Sequence, residues 1–203
     1  MNSKYDLIQH LINSGVMHSK NIIEAFKNID RIDFVLDPNV SDIYEDYPLQ
    51  IGYKQTISQP TTVAMMLEML EPKDGQKILD IGSGSGWTTA LLSFIVGDSG
   101  SVLGIERITE LVRFGNSNLK KYQFKNTTII QAREKLGIVG EKFDRILVSA
   151  SAKEFPIELT RQLKVGGKLV IPVGNTIYEV TKKENDELDS IEHYGFTFVP
   201  LIV

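Results

Sequence analysis

The chain has 203 residues, no cysteine, a net charge of −4 and 24% charged residues. That length suits one domain with a sizeable core, and the missing cysteines exclude disulfides and thiolate metal sites. The acidic balance argues against a broad nucleic-acid-binding face.

No apolar run approaches the ~20 residues that span a bilayer, and the first residues lack the apolar core of a signal peptide. The expectation is a cytoplasmic protein without a membrane or nucleic-acid partner. Nothing in the residues sets its oligomeric state.

In chain order, Leu7, Ile8, Leu11 and Ile12 recur at helical spacing over residues 4–14, and Gly15 is a natural stop. Ser19 reads as the cap of a second helix carrying Ile22, Ile23 and Phe26. His10 and His18 have no further ligand at metal spacing and read as surface or packing residues, and the later His193 reads as a surface residue. Residues 30–60 differ. Asp37-Pro38, Tyr47-Pro48 and Ser58-Gln59-Pro60 break regular structure, and aromatic and polar side chains are frequent. This stretch is either a functional loop or a linker. Pro60 then opens a helix whose buried face is Val63, Met66, Leu67 and Leu70.

From there strands and helices alternate. The pattern predicts strands at 77–81, 101–105, 127–130, 143–148 and 168–171, helices at 87–96, 109–122 and 156–163, and a turn at 165–167. Alternation of this kind implies right-handed crossovers and a mostly parallel sheet. Residues 176–181 and 196–201 are strand-like and predict a terminal antiparallel hairpin, with the charged 182–192 stretch and His193 in its loop. The expected fold is α/β, Rossmann-like and doubly wound, forming one domain over residues 1–203. Residues 1–60 supply N-terminal helices and a covering loop, and residues 61–203 supply the core.

The chemistry concentrates in Lys77-Ile-Leu-Asp-Ile-Gly-Ser-Gly-Ser-Gly-Trp87, an apolar strand, a three-glycine turn and a helix start. Bare backbone at Gly82, Gly84 and Gly86 lets a ligand approach closely, and the first helical N–H groups can take its polar end. Glu106 ends the next strand, 24 residues after Gly82, where a ribose-binding carboxylate sits. The G-x-G-x-G spacing, with Asp80 two residues before the first glycine, suits S-adenosyl-L-methionine better than a dinucleotide. The bare alternative is a structural turn. Asp80, Glu106, residues 131–134 and residues 149–151 all fall at the carboxyl ends of predicted strands, where doubly wound sheets bind ligands.

Tyr47-Pro-Leu-Gln-Ile-Gly-Tyr-Lys-Gln-Thr-Ile-Ser-Gln-Pro60 closely resembles the signature loop of the protein-L-isoaspartate (D-aspartate) O-methyltransferases. The resemblance continues through Arg31-Ile-Asp-Phe-Val35, Asp80–Gly86, Ile105-Glu-Arg107, Phe143-Asp-Arg-Ile-Leu-Val148, Leu163–Gly174 and Phe198-Val-Pro-Leu201, nearly the whole chain. It implies a class I methyltransferase that uses S-adenosyl-L-methionine to esterify the free carboxylate of isoaspartyl residues in proteins or peptides. Ester closure to a succinimide then begins repair.

The resemblance also implies roles. Ser58 and Thr56 would act on the carboxylate, with Ile57, Gln59, Val199 and Leu201 on the substrate. Asp80, Gly82, Ser83, Gly84, Gly86, Glu106, Arg107, Gln131, Ala132 and Arg133 would form the cofactor site. Ser58 also reads as a helix cap ahead of Pro60.

Two departures stand out. Gln131-Ala-Arg133 replaces the family's Gly-Asp-Gly, so the acid expected near the adenine amine is absent, with Gln131 or Glu134 as stand-ins. Lys153 and Glu154 add charge near the substrate side. These departures keep open a carboxyl methyltransferase with another target, or a scaffold that has lost its cofactor. A dehydrogenase is disfavoured by the glycine spacing.

Overall fold

A computed structural model describes residues 1, 3–38 and 41–202. Helices α1 (Lys4–Asn13) and α2 (Lys20–Asn28) form where the apolar spacing predicts them. Ser19 occupies the cap position of α2, but its hydroxyl donates to Glu68 at 2.5 Å rather than capping its own helix. The Glu68 carboxylate also accepts the backbone N–H groups of His18 and Ser19, so the cap is supplied from α3 (Pro60–Leu70).

Residues 49–57 are not a loop. They form a hairpin of β1 (Leu49–Gly52) and β2 (Gln55–Ile57), paired Leu49↔Ile57, Gln50↔Thr56 and Gly52↔Gln55. Its two-residue turn places Tyr53 and Lys54 at φ 53° and 59°, as a tight hairpin turn requires. Neither residue advertises that conformation, so the turn was hidden in the sequence.

Among the described residues the main sheet has seven strands. Those in the alternating region are β3 (Lys77–Ile81), β4 (Ser101–Glu106), β5 (Thr127–Gln131), β6 (Phe143–Val148) and β7 (Leu163–Val173). Beyond them lie β8 (Thr176–Lys182) and β9 (Leu188–Tyr194), and the order across the sheet is β5-β4-β3-β6-β7-β8-β9. The first five are mutually parallel, and β8 and β9 are antiparallel additions. The crossovers carry α4 (Trp87–Val96), α5 (Thr109–Leu119) and the short α6 (Ile157–Thr160). The α-helical part of residues 109–122 ends at Leu119 and tightens into a 3-10 turn at Lys120–Tyr122.

Three expectations need correction. The 165–167 turn lies inside β7, as a bulge. Pairing jumps from Phe143↔Leu163 to Arg145↔Lys168, and Gly166 at φ 74° absorbs the extra residues. The last strand is the charged 188–194 stretch, which contains His193, because an edge strand open on both faces needs no apolar alternation. Residues 196–201 are instead an extended segment bridged through Pro200 to Ser151.

One apolar cluster joins the N-terminal helices (Leu7, Leu11, Phe26) to α3 and α4 (Leu67, Trp87, Leu91). Among the described residues, no helix is long and apolar enough to cross a membrane.

Candidate active site

The order reverses between β3 and β6, which places a switch point at the carboxyl end of β3. The three glycines that follow all have positive φ, 79° at Gly82, 52° at Gly84 and 88° at Gly86. A side chain at any of them would be strained. A Cβ on Gly82 would enter the slot facing Ser149 and Ala150, and one on Gly84 would meet Ile51 at 3.1 Å.

Two adjoining cavities open there and share Gln55, Gly82, Glu106 and Ala150. The first runs past Ile105, Glu106 and Ile108 to Ala132, Leu136, Pro200 and Leu201, with Arg107, Arg133 and Lys135 at its rim. The second is enclosed by Gly82–Ser85 and Trp87 on one side and by Ile51, Thr56 and Ile57 of the hairpin with the following Ser58 on the other. An outer groove lined by Pro48, Gln59, Thr62, Ser149 and residues 197–199 leads to Thr56 and Ser58.

Glu106 is buried, and both carboxylate oxygens face backbone donors. One accepts the Gly84 N–H at 3.0 Å and the other the Ile108 N–H at 2.8 Å. Thr56 and Ser58 are half-buried. Gln59, not Ser58, is the cap residue of α3. The Asp46 carboxylate caps that helix from outside, accepting the N–H and hydroxyl of Thr61 at 2.8 and 2.7 Å and the Gln59 amide at 3.1 Å.

Not every residue singled out in the sequence faces the cavities. Asp80 lies fully buried beneath the glycine turn, where it accepts the Thr89 hydroxyl at 2.5 Å. Burial raises its pKa to about 6 against the pull of that hydrogen bond, and the nearby Glu106 charge adds to the rise. Its other oxygen has no hydrogen-bond partner among the described residues. Gly86 is the cap residue of α4 and packs against Gly115 of α5, away from both cavities. The Gln131 amide is spent on the Arg107 carbonyl. Glu134 lines a separate outer groove. Neither residue puts a side chain into the first cavity, so Ala132 leaves no acid there besides Glu106. Leu201, expected on the substrate side, lines the first cavity, while Val199 borders the second.

Other residues were missed. Leu136 and Gly137 line the first cavity because the buried Gln162 amide grips their loop, donating to the Leu136 carbonyl at 3.0 Å and accepting the Ile138 N–H at 2.7 Å. An apolar residue followed by glycine, shortly after a strand end, was the available signal. In the sequence Arg31 stands out only within the stretch Arg31-Ile-Asp-Phe-Val35. It is 2% exposed, donates to the carbonyls of Ser58 at 2.7 Å and Tyr47 at 3.1 Å, and lies 4.8 Å over the Trp87 ring.

The family model for protein-L-isoaspartate(D-aspartate) O-methyltransferase matches residues 2–203. The chain belongs to this family. A Fervidobacterium nodosum protein-L-isoaspartate O-methyltransferase is 42% identical over 199 residues, covering 96% of this chain and 99% of that one. A Methanopyrus kandleri relative of the same description is 40% identical over 202 residues, covering 97% and 89%. A Plasmodium falciparum structure, described as a beta-aspartate methyltransferase in complex with S-adenosyl-L-homocysteine, superposes with a TM-score of 0.87 at 28% identity, over 100% of this chain and 99% of that one. Membership in the family sets aside the dehydrogenase reading.

Proposed function

We propose that this chain is an S-adenosyl-L-methionine-dependent methyltransferase that esterifies the free carboxylate of L-isoaspartyl residues in proteins and peptides. The observation that carries the reading is the second cavity. It brings the hydroxyl-bearing Thr56 of the hairpin and the following Ser58 against the glycine turn and next to Glu106. No histidine lines it.

The residues present fit the cofactor. Positive-φ glycines clear a path for it, and Glu106 keeps free lone pairs for ribose hydroxyls after accepting two backbone N–H groups. The first cavity offers Ile108 and Leu136 as apolar surfaces for adenine. When bound, the cofactor supplies a methyl group activated on a sulfonium sulfur. The chain's own work is placement. A carboxylate with a pKa of roughly 3.5 is already ionised at neutral pH, so no general base is required. Thr56 and Ser58 donate hydroxyl hydrogen bonds that hold and orient it, and Ile51, Ile57 and Trp87 keep water out. Gln59 and Val199, along the outer groove, receive the flanking peptide. The N-terminal helices and hairpin act with the Rossmann-like core as one unit, which the shared apolar cluster supports.

The test is to incubate the protein with S-adenosyl-L-methionine and an isoaspartyl peptide, with its aspartyl twin as control, and to measure base-labile methyl ester. Ester on the isoaspartyl peptide alone is expected. Equal labelling of the two peptides, or none, would defeat the reading.

A further inference from the structure

We propose that Arg31 is the positioning residue of the substrate half of the cleft. Its buried guanidinium ties together the two ends of the 47–58 segment and seats them on Trp87, so that Thr56 and Ser58 are presented in register with the glycine turn. This inference rests on the function proposed above.

The hairpin cannot place itself. Its ladder has three residue pairs, and an isolated two-stranded hairpin is marginal in water. Ile51 and Ile57 bury one side of it, but apolar contacts alone do not fix the hydroxyls on Thr56 and Ser58. Tyr47 and Ser58 flank the hairpin in the chain, and Ser58 lines the second cavity. Arg31 donates to the backbone carbonyls of both, at 3.1 and 2.7 Å, from two different nitrogens. The planar guanidinium fork is suited to this two-point hold, and an ammonium group is not.

The same guanidinium stacks over the Trp87 ring at 4.8 Å, and Phe26 meets that ring edge-on at 5.5 Å. Trp87 is the first residue of α4 and a wall of the second cavity. Arg31 therefore joins the substrate hairpin to the helix that follows the cofactor turn.

Retaining a cation here is costly. Arg31 is 2% exposed, and its Nε has no hydrogen-bond partner among the described residues. Burial pushes its pKa down to about 9, against the opposing pull of Asp46. That carboxylate is itself engaged with Thr61 and Gln59 at the start of α3. An apolar side chain of similar volume would fill the space without desolvating a charge. What it would forfeit is the hold on the carbonyls of Tyr47 and Ser58, at the two ends of the segment that carries the orienting hydroxyls.

The test uses the full chain with Arg31→Lys and Arg31→Met. The readouts are kcat and KM for the isoaspartyl peptide, the Kd of S-adenosyl-L-homocysteine by calorimetry, and amide hydrogen exchange along the chain. Loss of alignment at the reacting centre predicts a fall in kcat of roughly tenfold or more for Arg31→Met and a smaller fall for Arg31→Lys. The Kd of S-adenosyl-L-homocysteine should stay within about threefold, because the hydrogen bonds of Glu106 are untouched. Exchange should rise in residues 47–58 and stay unchanged in β3 and β4. An unchanged kcat in Arg31→Met would overturn the proposal. So would a loss of homocysteine-ligand binding that matches the loss of kcat, or exchange that rises throughout the chain. Failure of both variants to fold would make Arg31 a folding residue and would also overturn it. If the unsubstituted protein leaves the isoaspartyl peptide unmethylated, the functional reading fails instead, while the exchange pattern still reports on Arg31.

Discussion

The Glu106 carboxylate accepts the backbone N–H of Gly84 at 3.0 Å, so the acid that ends β4 and the glycine turn that follows β3 form one rigid unit. Its second oxygen is held by Ile108 at 2.8 Å. Glu106→Gln should fold but must turn an NH2 group toward one of two backbone N–H donors. Losing a charge-assisted acceptor costs about 1.5–3 kcal/mol, so S-adenosyl-L-homocysteine should bind roughly 10- to 100-fold more weakly. Calorimetry reads this directly, and an unchanged Kd would remove Glu106 from the cofactor site.

Ser58 separates backbone from side chain. Its carbonyl carries the scaffold bond to Arg31, so deleting the hydroxyl leaves the hairpin held. Ser58→Ala should keep its thermal midpoint and its affinity for S-adenosyl-L-homocysteine, while kcat/KM for the isoaspartyl peptide drops by about tenfold or more, the worth of one hydrogen bond to a charged group. Full activity in the variant would rule out an orienting role for the hydroxyl.

The parallel half of the sheet was legible because its signals are local and mutually consistent, with apolar runs of strand length, glycine turns at their ends and helical spacing between them. The hairpin was not legible, because Tyr53 and Lys54 take left-handed angles that other sequences reserve for Asn and Gly. Strand β9 was hidden for another reason. Asp189, Ser190 and Glu192 read as loop, yet a ladder to β8 suffices at an open edge. At the candidate site, the places of Glu106, Gly82 and Gly84 on the cavity walls were readable from strand ends and spacing, and that of Gly86, away from both cavities, was not. Arg31 and Gln162 did not, because buried polar side chains contradict what their residue types suggest, and their partners lie 27 and 26 positions away in sequence.

Asp80 should give the protein an unusual acid response at one position. Its folded-state pKa of about 6 lies above the ordinary 3.8. The native state therefore holds this proton more tightly than the unfolded chain does. The stability it contributes is complete below pH ~4 and is lost as pH rises through ~6, a swing of about 3 kcal/mol. Asp80→Asn stays neutral throughout, and its carbonyl oxygen can still accept from Thr89. Relative to the unsubstituted protein, the variant should gain stability between pH 4 and 7. Urea unfolding of both proteins at pH 4.5 and 7.5 measures the difference, and a difference that does not change with pH would show that Asp80 ionises normally.

Ala132 is the position where restoring an acid should strengthen binding. It is half-buried on the wall of the first cavity, and its N–H donates to the Glu106 carbonyl at 2.8 Å, which pins its backbone to the end of β4. The neighbouring rim is cationic, with Arg107, Arg133 and Lys135. A carboxylate placed there remains ionised and can accept from the exocyclic amine of adenine. Ala132→Asp should tighten S-adenosyl-L-homocysteine by about tenfold, the value of one charge-assisted hydrogen bond less its desolvation. The control is S-inosyl-L-homocysteine, which carries a carbonyl in place of the amine. Its affinity should not improve and should fall, since two acceptors would then face each other. Equal tightening of both ligands would mean that the new charge acts only on the basic rim, and that adenine is read elsewhere in the cavity.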